Sequence, residues 1–118
     1  MPVSSNPSCI RCGTYAAEEL RPALVSVLEA AGGLDWVRPG MTIGLKLNLC
    51  AARKPEAAAT THPALAAELT ALLRERGAKV VIVDSPGEPF TPVILNHVYN
   101  TCGLRVCENA GAELNSNY

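Results

Sequence analysis

The stretch MTIGLKLNL, residues 41–49, carries the clearest strand pattern in the chain, because aliphatic residues alternate with small or polar ones. The first type is aliphatic and comprises Ile43, Leu45, Leu47 and Leu49. The second type is small or polar and comprises Thr42, Gly44, Lys46 and Asn48. Successive side chains of a β-strand point to opposite faces of the sheet. The alternation therefore predicts a strand over 41–49 with one apolar and one polar face.

The residues that follow this strand predict a second strand beside it. A helix is expected over 63–76, capped by Thr61 or His62 and ended by Gly77. Its apolar side is expected to consist of Leu65, Leu69, Leu72 and Leu73. The β-branched run that follows predicts a strand over 79–84. Because such crossovers give parallel neighbours, the predicted fold class is α/β: a three-layer, mainly parallel β-sheet with βαβ crossovers.

Further elements are predicted on both sides of this unit. A short strand is expected over 8–13 and a helix over 18–31, where Pro22 predicts either a start near Glu19 or a bend. Three elements are expected downstream: a helix capped by Thr91, a helical turn over 106–110 and a strand over 113–115. The length fits one domain. We expect 1–7 to be a disordered lead and 8–118 to be the N-terminal part of a larger α/β domain.

Composition excludes several classes of protein. The 118 residues include 10 Lys+Arg and 11 Asp+Glu, a formal net charge of −1, so nothing favours nucleic-acid binding. No run reaches the ~18 apolar residues of a membrane span, and the N-terminus lacks the basic and apolar regions of a secretory signal. The odd number of five cysteines fits reduced thiols. We expect a cytoplasmic protein without nucleic-acid or membrane partners, and a homo-oligomer through the exposed edge of an incomplete sheet.

Polar residues gather where the predicted strands end. Lys46, Asn48, Asp84 and Ser85 lie at or next to the strand ends, and Thr60, Thr61 and His62 lie where the next helix starts. Parallel strands bind ligands outside their carboxyl ends, and Gly87 permits a tight turn close to a ligand. The sequence therefore predicts a site for a small anion, a nucleotide or a metal ion, with no catalytic residue identified.

Each of these residues also has a purely structural interpretation. Lys46 and Asp84 could form an ion pair, or Lys46 could face solvent on an edge strand. Thr61 and His62 could simply cap a helix, and residues 85–87 could simply form a turn. The functional alternative is a lysine that binds an anion or a carbonyl group, with Asn48 as a hydrogen-bond donor. A lone histidine such as His62 is more often neither a metal ligand nor a proton shuttle.

Two cysteines near the N-terminus have C-x₂-C spacing. Cys9 and Cys12 are weak metal candidates, because no second C-x₂-C pair completes a four-thiolate site. On a strand over 8–13 the two thiols would also point to opposite faces. We therefore expect ordinary small apolar residues here rather than a metal or redox site.

Five motifs in order resemble the N-terminal part of the family named domain of unknown function 362. They are RCGTY (11–15), GGLDWVRPG (32–40), GLKLNL (44–49), ATTHP (59–63) and DSPG (84–87). The resemblance implies a cytosolic, prokaryotic, iron–sulfur-associated protein of unassigned activity. It implies [4Fe-4S] clusters in a C-terminal module of full-length relatives, with no cluster ligands in this chain.

The resemblance also bears on individual residues. It implies that the recurrent polar positions are Lys46, Asn48, Thr61, His62, Asp84, Ser85 and Gly87. Two positions depart from the family pattern: Leu47 replaces a usual proline, and Ala16 replaces a usual capping aspartate, which leaves Thr14 as the expected cap. Three functional interpretations remain open. The chain forms one wall of a ligand site in a redox-linked protein, or it is a non-catalytic binding or scaffold module, or a fragment without activity.

Overall fold

The computed structural model describes residues 8–49, 51–84 and 91–115. Its centre is a three-stranded parallel sheet formed by β1 (Thr42–Lys46), β2 (Lys79–Val83) and β3 (Ala112–Leu114), in the order β1-β2-β3. The predicted α/β class and parallel sheet are confirmed. The expected lead at 1–7 and the possible turn at 85–87 lie outside the described residues.

Four helices accompany the sheet. They are α1 (Ala17–Ala30), α2 (Pro63–Glu75), α3 (Pro92–Thr101) and α4 (Arg105–Asn109), and a short 3₁₀ helix spans Pro55–Ala57. Helix α2 connects β1 to β2, as expected for a βαβ unit, and α3 and α4 connect β2 to β3. Thr91 caps α3 as predicted, because its Oγ1 accepts a hydrogen bond from the Ile94 amide.

The alternation in residues 41–49 sorts the sheet into two unlike faces. Ile43 pairs with Val80 and Leu45 pairs with Ile82, and in a parallel register paired residues share a face. This face carries the core, since Val80 and Ile82 are buried beneath residues of α2, α3 and α4. Thr42, Gly44 and Lys46 lie on the other face and are exposed. Within the described part of the chain, α2, α3 and α4 supply the core residues on this face, and α1 packs against α2.

Helix α2 turns a partly different side toward the core than its leucines predicted. Its buried residues are Pro63, Ala66, Thr70 and Leu73, and Leu69 is partly buried against the core. The predicted apolar side is therefore correct for Leu69 and Leu73 only. Small side chains allow a helix to approach a sheet closely, and Thr70 satisfies its hydroxyl by donating to the Ala66 carbonyl at 2.8 Å. Leu65 and Leu72 instead line the grooves between α2 and α1.

The predicted strand over 8–13 is wrong. These residues form neither helix nor strand, and Cys9, Ile10 and Cys12 are exposed. The segment lies against α1, where the Ser8 hydroxyl donates to the Val27 carbonyl at 2.9 Å. A strand must pair with a neighbouring strand to satisfy its backbone groups. Residues 8–13 are not part of the described sheet, so their sequence pattern alone does not make them a strand.

Helix α1 begins earlier than Pro22 suggested. It starts at Ala17 and continues through Pro22, so the expected span of 18–31 is correct to within one residue and the alternative start near Glu19 is wrong. Pro22 is exposed, which keeps its ring off the packed side of the helix. Ala16 caps this helix without a side-chain hydrogen bond. Thr14, the expected substitute, accepts a hydrogen bond from the Ala16 amide instead of from the first helical turn.

Cys107 gives the folded chain a specific pH dependence. Burial raises the pKa of its thiol to about 11 from an ordinary 9.0. Between these values the unfolded chain ionises this thiol while the folded chain keeps it protonated, so the free energy of unfolding falls as pH rises. We expect the stability difference between the parent chain and Cys107→Ala to fall by about 2 kcal/mol between about pH 8 and pH 11.

Urea denaturation of both proteins at several pH values measures this difference. The comparison is needed because burial also raises the pKa of Tyr99, and that contribution cancels between the two proteins. A difference that stays constant from pH 8 to pH 11 would contradict the assignment.

Candidate functional site

Asp84 joins the carboxyl ends of the two adjacent strands. It directly follows β2, and its side chain is only 4% exposed. Its Oδ1 accepts from the Lys46 Nζ at 2.6 Å, and its Oδ2 accepts from the Leu49 amide at 2.7 Å. Each carboxylate oxygen accepts a hydrogen bond from a donor at or just beyond the end of β1. The buried charge is therefore stabilised by these partners.

Lys46 is the outward partner of this pair. Its side chain is 67% exposed, since the polar face of the sheet carries no helix in the described residues. The ammonium donates to Asp84 and to the Leu47 carbonyl, the latter at 2.8 Å. An ammonium has three donors. The third has no partner among the described residues and is available at the surface.

A second link connects the end of β1 to the start of α2. The Asn48 backbone amide donates to the Thr61 Oγ1 at 3.0 Å, and the Thr61 backbone amide donates to the Asn48 backbone carbonyl at 3.1 Å. One of these hydrogen bonds uses the Thr61 side chain, and the other joins two backbone groups. Together they hold the first residues of α2 beside the strand end.

His62 caps α2, so one of the two predicted caps is correct. Its Nδ1 accepts from the Ala64 amide at 3.1 Å. An accepting Nδ1 in a neutral imidazole assigns the proton to Nε2. The ring stacks on Tyr15, with the ring centroids 3.6 Å apart and the planes 7° from parallel. Tyr15 was missed as a neighbour, although it closes the RCGTY motif.

A cavity of about 320 Å³ adjoins this stack. It is lined by Tyr15, Pro55, Glu56, Ala58, Thr60 and His62. The Thr60 Oγ1 is buried and has no hydrogen-bond partner among the described residues. A buried hydroxyl without a partner is unfavourable.

Four of the predicted site residues form two contacting pairs, and His62 has other partners. Lys46 contacts Asp84, and Asn48 contacts Thr61, both at the carboxyl edge of the sheet. His62 contacts Ala64 and Tyr15 rather than either pair. Ser85 and Gly87 lie outside the described residues. Whether this edge binds a ligand remains a prediction.

The described residues do not supply a metal-binding set. In 8–49, 51–84 and 91–115 no group of three or more His, Cys, Asp or Glu side chains is placed to hold a metal ion. Cys9 and Cys12 contribute two thiols, whereas an iron–sulfur cluster takes four ligands. The described part of the chain therefore does not fit a [4Fe-4S] cluster by itself.

Comparison with known proteins gives one family and one relative. The family model described as Domain of unknown function (DUF362) matches residues 43–117, which includes both strand ends and α2. The "Thylakoid-associated protein sll1697" of Synechocystis sp. is 35% identical over 80 residues, which are 67% of this chain. No solved structure matches.

The matched region is short relative to that protein. It spans only 25% of the length of the Synechocystis relative. No helix among the described residues is both long and apolar enough to cross a membrane.

Removing the Asp84 charge is expected to destabilise the fold. Asp84→Asn retains one acceptor oxygen for two donors, so a buried polar group loses its partner. We expect the free energy of unfolding to fall by about 1–3 kcal/mol. The matched control is Asp35→Asn, because Asp35 is 97% exposed and its pair with Arg76 lies at the surface. Urea denaturation should show less than about 0.5 kcal/mol for the control. Equal losses would show that the Asp84 contacts contribute nothing particular.

The cap of α2 can be separated from its ring stack. His62→Asn and His62→Ala both remove the stack on Tyr15, but asparagine keeps an acceptor for the Ala64 amide. We therefore expect His62→Ala to be less stable than His62→Asn by about 1 kcal/mol in urea denaturation. Two variants of equal stability would mean that Nδ1 does not act as the cap.

Proposed function

We propose, since the chain belongs to the Domain of unknown function (DUF362) family, that its carboxyl sheet edge forms one wall of a site for a small anionic ligand. The whole protein would be redox-linked and iron–sulfur-associated. The observation that carries the anion site is the exposed Lys46 ammonium, fixed in place by a buried carboxylate and a backbone carbonyl.

The electrostatics of the pair support an anion rather than a cation. Asp84 faces inward, and its two oxygens accept from Lys46 and Leu49. At 4% exposure the carboxylate offers almost no surface to a ligand, whereas Lys46 is 67% exposed. A ligand that approaches this edge therefore meets the cation first.

The position in the fold supports the same interpretation. Ligands of parallel α/β sheets bind outside the carboxyl ends of the strands. Lys46 is the last residue of β1, and Asp84 follows the last residue of β2. Phosphate and carboxylate groups suit an ammonium held in a fixed position, because charge-assisted hydrogen bonds are about twice as strong as neutral ones. A nucleotide would present the same phosphate chemistry.

The redox-linked part of the proposal rests on the family resemblance. Cluster ligands would have to come from outside the described residues, because these hold no suitable set. The Synechocystis relative is four times as long as the region it shares with this chain, since that region is 25% of its length. Its printed name associates that protein with thylakoids. A cytoplasmic location for this chain remains an expectation.

A structural role is the second candidate, and a specific observation favours it. The Leu49 amide donates to Asp84 at 2.7 Å, which fixes the strand end whether or not a ligand binds. On this alternative Lys46 serves only to neutralise a buried charge. The two candidates differ in one respect: only the anion site requires Lys46 to contact a ligand.

Inorganic phosphate tests the anion site directly. Isothermal titration of the parent chain should show saturable binding, and Lys46→Met should weaken it by about tenfold or more through the loss of a charge-assisted hydrogen bond. Lys46→Arg keeps the charge and should retain most of the affinity.

The matched control is Lys79→Met. Lys79 lies at the amino end of β2 and shares the exposed face of the sheet, since it pairs with Thr42 while Lys46 pairs with Val83. Its loss should change the affinity by less than about twofold. No saturable binding to the parent, or equal losses in both methionine variants, would favour the structural role.

A further inference from the structure

The surroundings of Cys9 and Cys12 differ in two respects from what the sequence predicted. The expectation that Cys9 and Cys12 point to opposite faces depended on a strand, and the expectation of ordinary small apolar residues depended on burial. The structure has no strand over 8–13, and both cysteines are exposed. They are therefore neither on opposite faces of a sheet nor small apolar residues in a core.

The removal of the strand changes what the two thiols can do. Residues three apart in a strand are separated by about 10 Å, beyond the ~7 Å that a disulfide allows between Cα atoms. An irregular segment carries no such restriction. Cys9 and Cys12 line the same cavity of about 480 Å³, between the segment 8–15 and helix α1.

This segment is anchored on both sides of the pair. The Ser8 hydroxyl donates to the Val27 carbonyl at 2.9 Å, and the Tyr15 ring stacks on His62. Between these anchors the Cys12 thiol contacts the Thr14 carbonyl at 3.1 Å. The two contacts hold the segment in place on either side of the pair, and the cavity leaves room for a local rearrangement.

From these positions we propose that Cys9 and Cys12 form a reversible intramolecular disulfide by exchange with a low-molecular-weight disulfide. One cysteine thiolate attacks a sulfur of the small disulfide, forms a mixed disulfide and releases one small thiolate. The second cysteine thiolate then attacks the bound protein sulfur and releases the other small thiolate. Two protein thiols are oxidised by two electrons, and the small disulfide is reduced to two thiols, which take up the two protons.

Among the four described thiols, the other two are poorly placed for this exchange. Cys102 and Cys107 are buried, and burial raises the pKa of Cys107 to about 11. The thiolate is the reacting species, so at neutral pH Cys107 is both enclosed and protonated. A small disulfide reaches Cys9 and Cys12 first.

The spacing of arginines and lysines makes the bridge easy to identify. Trypsin cleaves after Arg11, between the two cysteines, but not at Arg21-Pro22 or Arg38-Pro39. Each of the five cysteines then lies on its own tryptic peptide: 1–11, 12–46, 47–53, 80–105 and 106–118. Every disulfide between two cysteines of this chain therefore links a unique pair of peptides.

The experiment treats the folded chain with oxidised glutathione and digests it without reduction. The expected result is an intact mass lower by about 2 Da, the mass of two hydrogens, and peptides 1–11 and 12–46 linked until a reductant is added. Cys12→Ser should stop at the mixed disulfide on Cys9 and yield no linked peptides. Cys50→Ser is the matched control, because it removes a thiol outside the pair and should leave the linked product unchanged.

Two outcomes would overturn the proposal. In one, Cys9 and Cys12 each retain a bound glutathione and no linked peptides form. In the other, peptide 1–11 or 12–46 links to a different cysteine peptide as readily as to its proposed partner. Circular dichroism of Cys12→Ser verifies that the variant is folded, so the absence of the bridge is attributable to the missing thiol.

Discussion

The buried carboxylate of Asp84 is the constraint on which the carboxyl edge of the sheet depends. It lies at the end of β2, yet two of its donors come from the chain at and just beyond the end of β1, one from the Lys46 side chain and one from the Leu49 backbone. A carboxylate at 4% exposure needs such partners, because a buried charge without them is strongly unfavourable. The contacts that satisfy Asp84 therefore also align the two strand ends and direct the lysine outward.

The two members of the ion pair are unequally buried and therefore contribute differently. Asp84 is inside and keeps the strands together, whereas Lys46 is outside and presents a cation. The open face of the sheet makes this arrangement possible, since Thr42, Gly44 and Lys46 are all exposed there. Beside it, the Asn48 and Thr61 pair holds the start of α2 at the same edge. A strand end, a helix start and a cation are thus fixed relative to one another.

Sequence patterns predicted the elements that depend on side-chain periodicity. The alternation in 41–49 and the parallel βαβ connection were enough to bring Lys46 and Asp84 together. The contact between Asp84 and the Leu49 amide was not predictable, because a backbone amide leaves no signal in residue type. The inward side of α2 was predicted only in part: Leu69 and Leu73 face the core, but a count of leucines gave no signal for the buried Ala66 and Thr70. The strand expected at 8–13 failed because periodicity does not supply a neighbouring edge, and this changed the interpretation of both cysteines.

Hydrogen exchange at the Leu49 amide measures directly whether the Asp84 carboxylate joins the two strand ends. An amide that donates to a buried carboxylate exchanges slowly, because it must first be released to solvent. The account predicts a protected Leu49 amide in the parent chain and a loss of that protection in Asp84→Ala, while amides in the middle of β2 stay protected. A Leu49 amide that exchanges equally fast in both proteins would show that Asp84 does not join the strand ends.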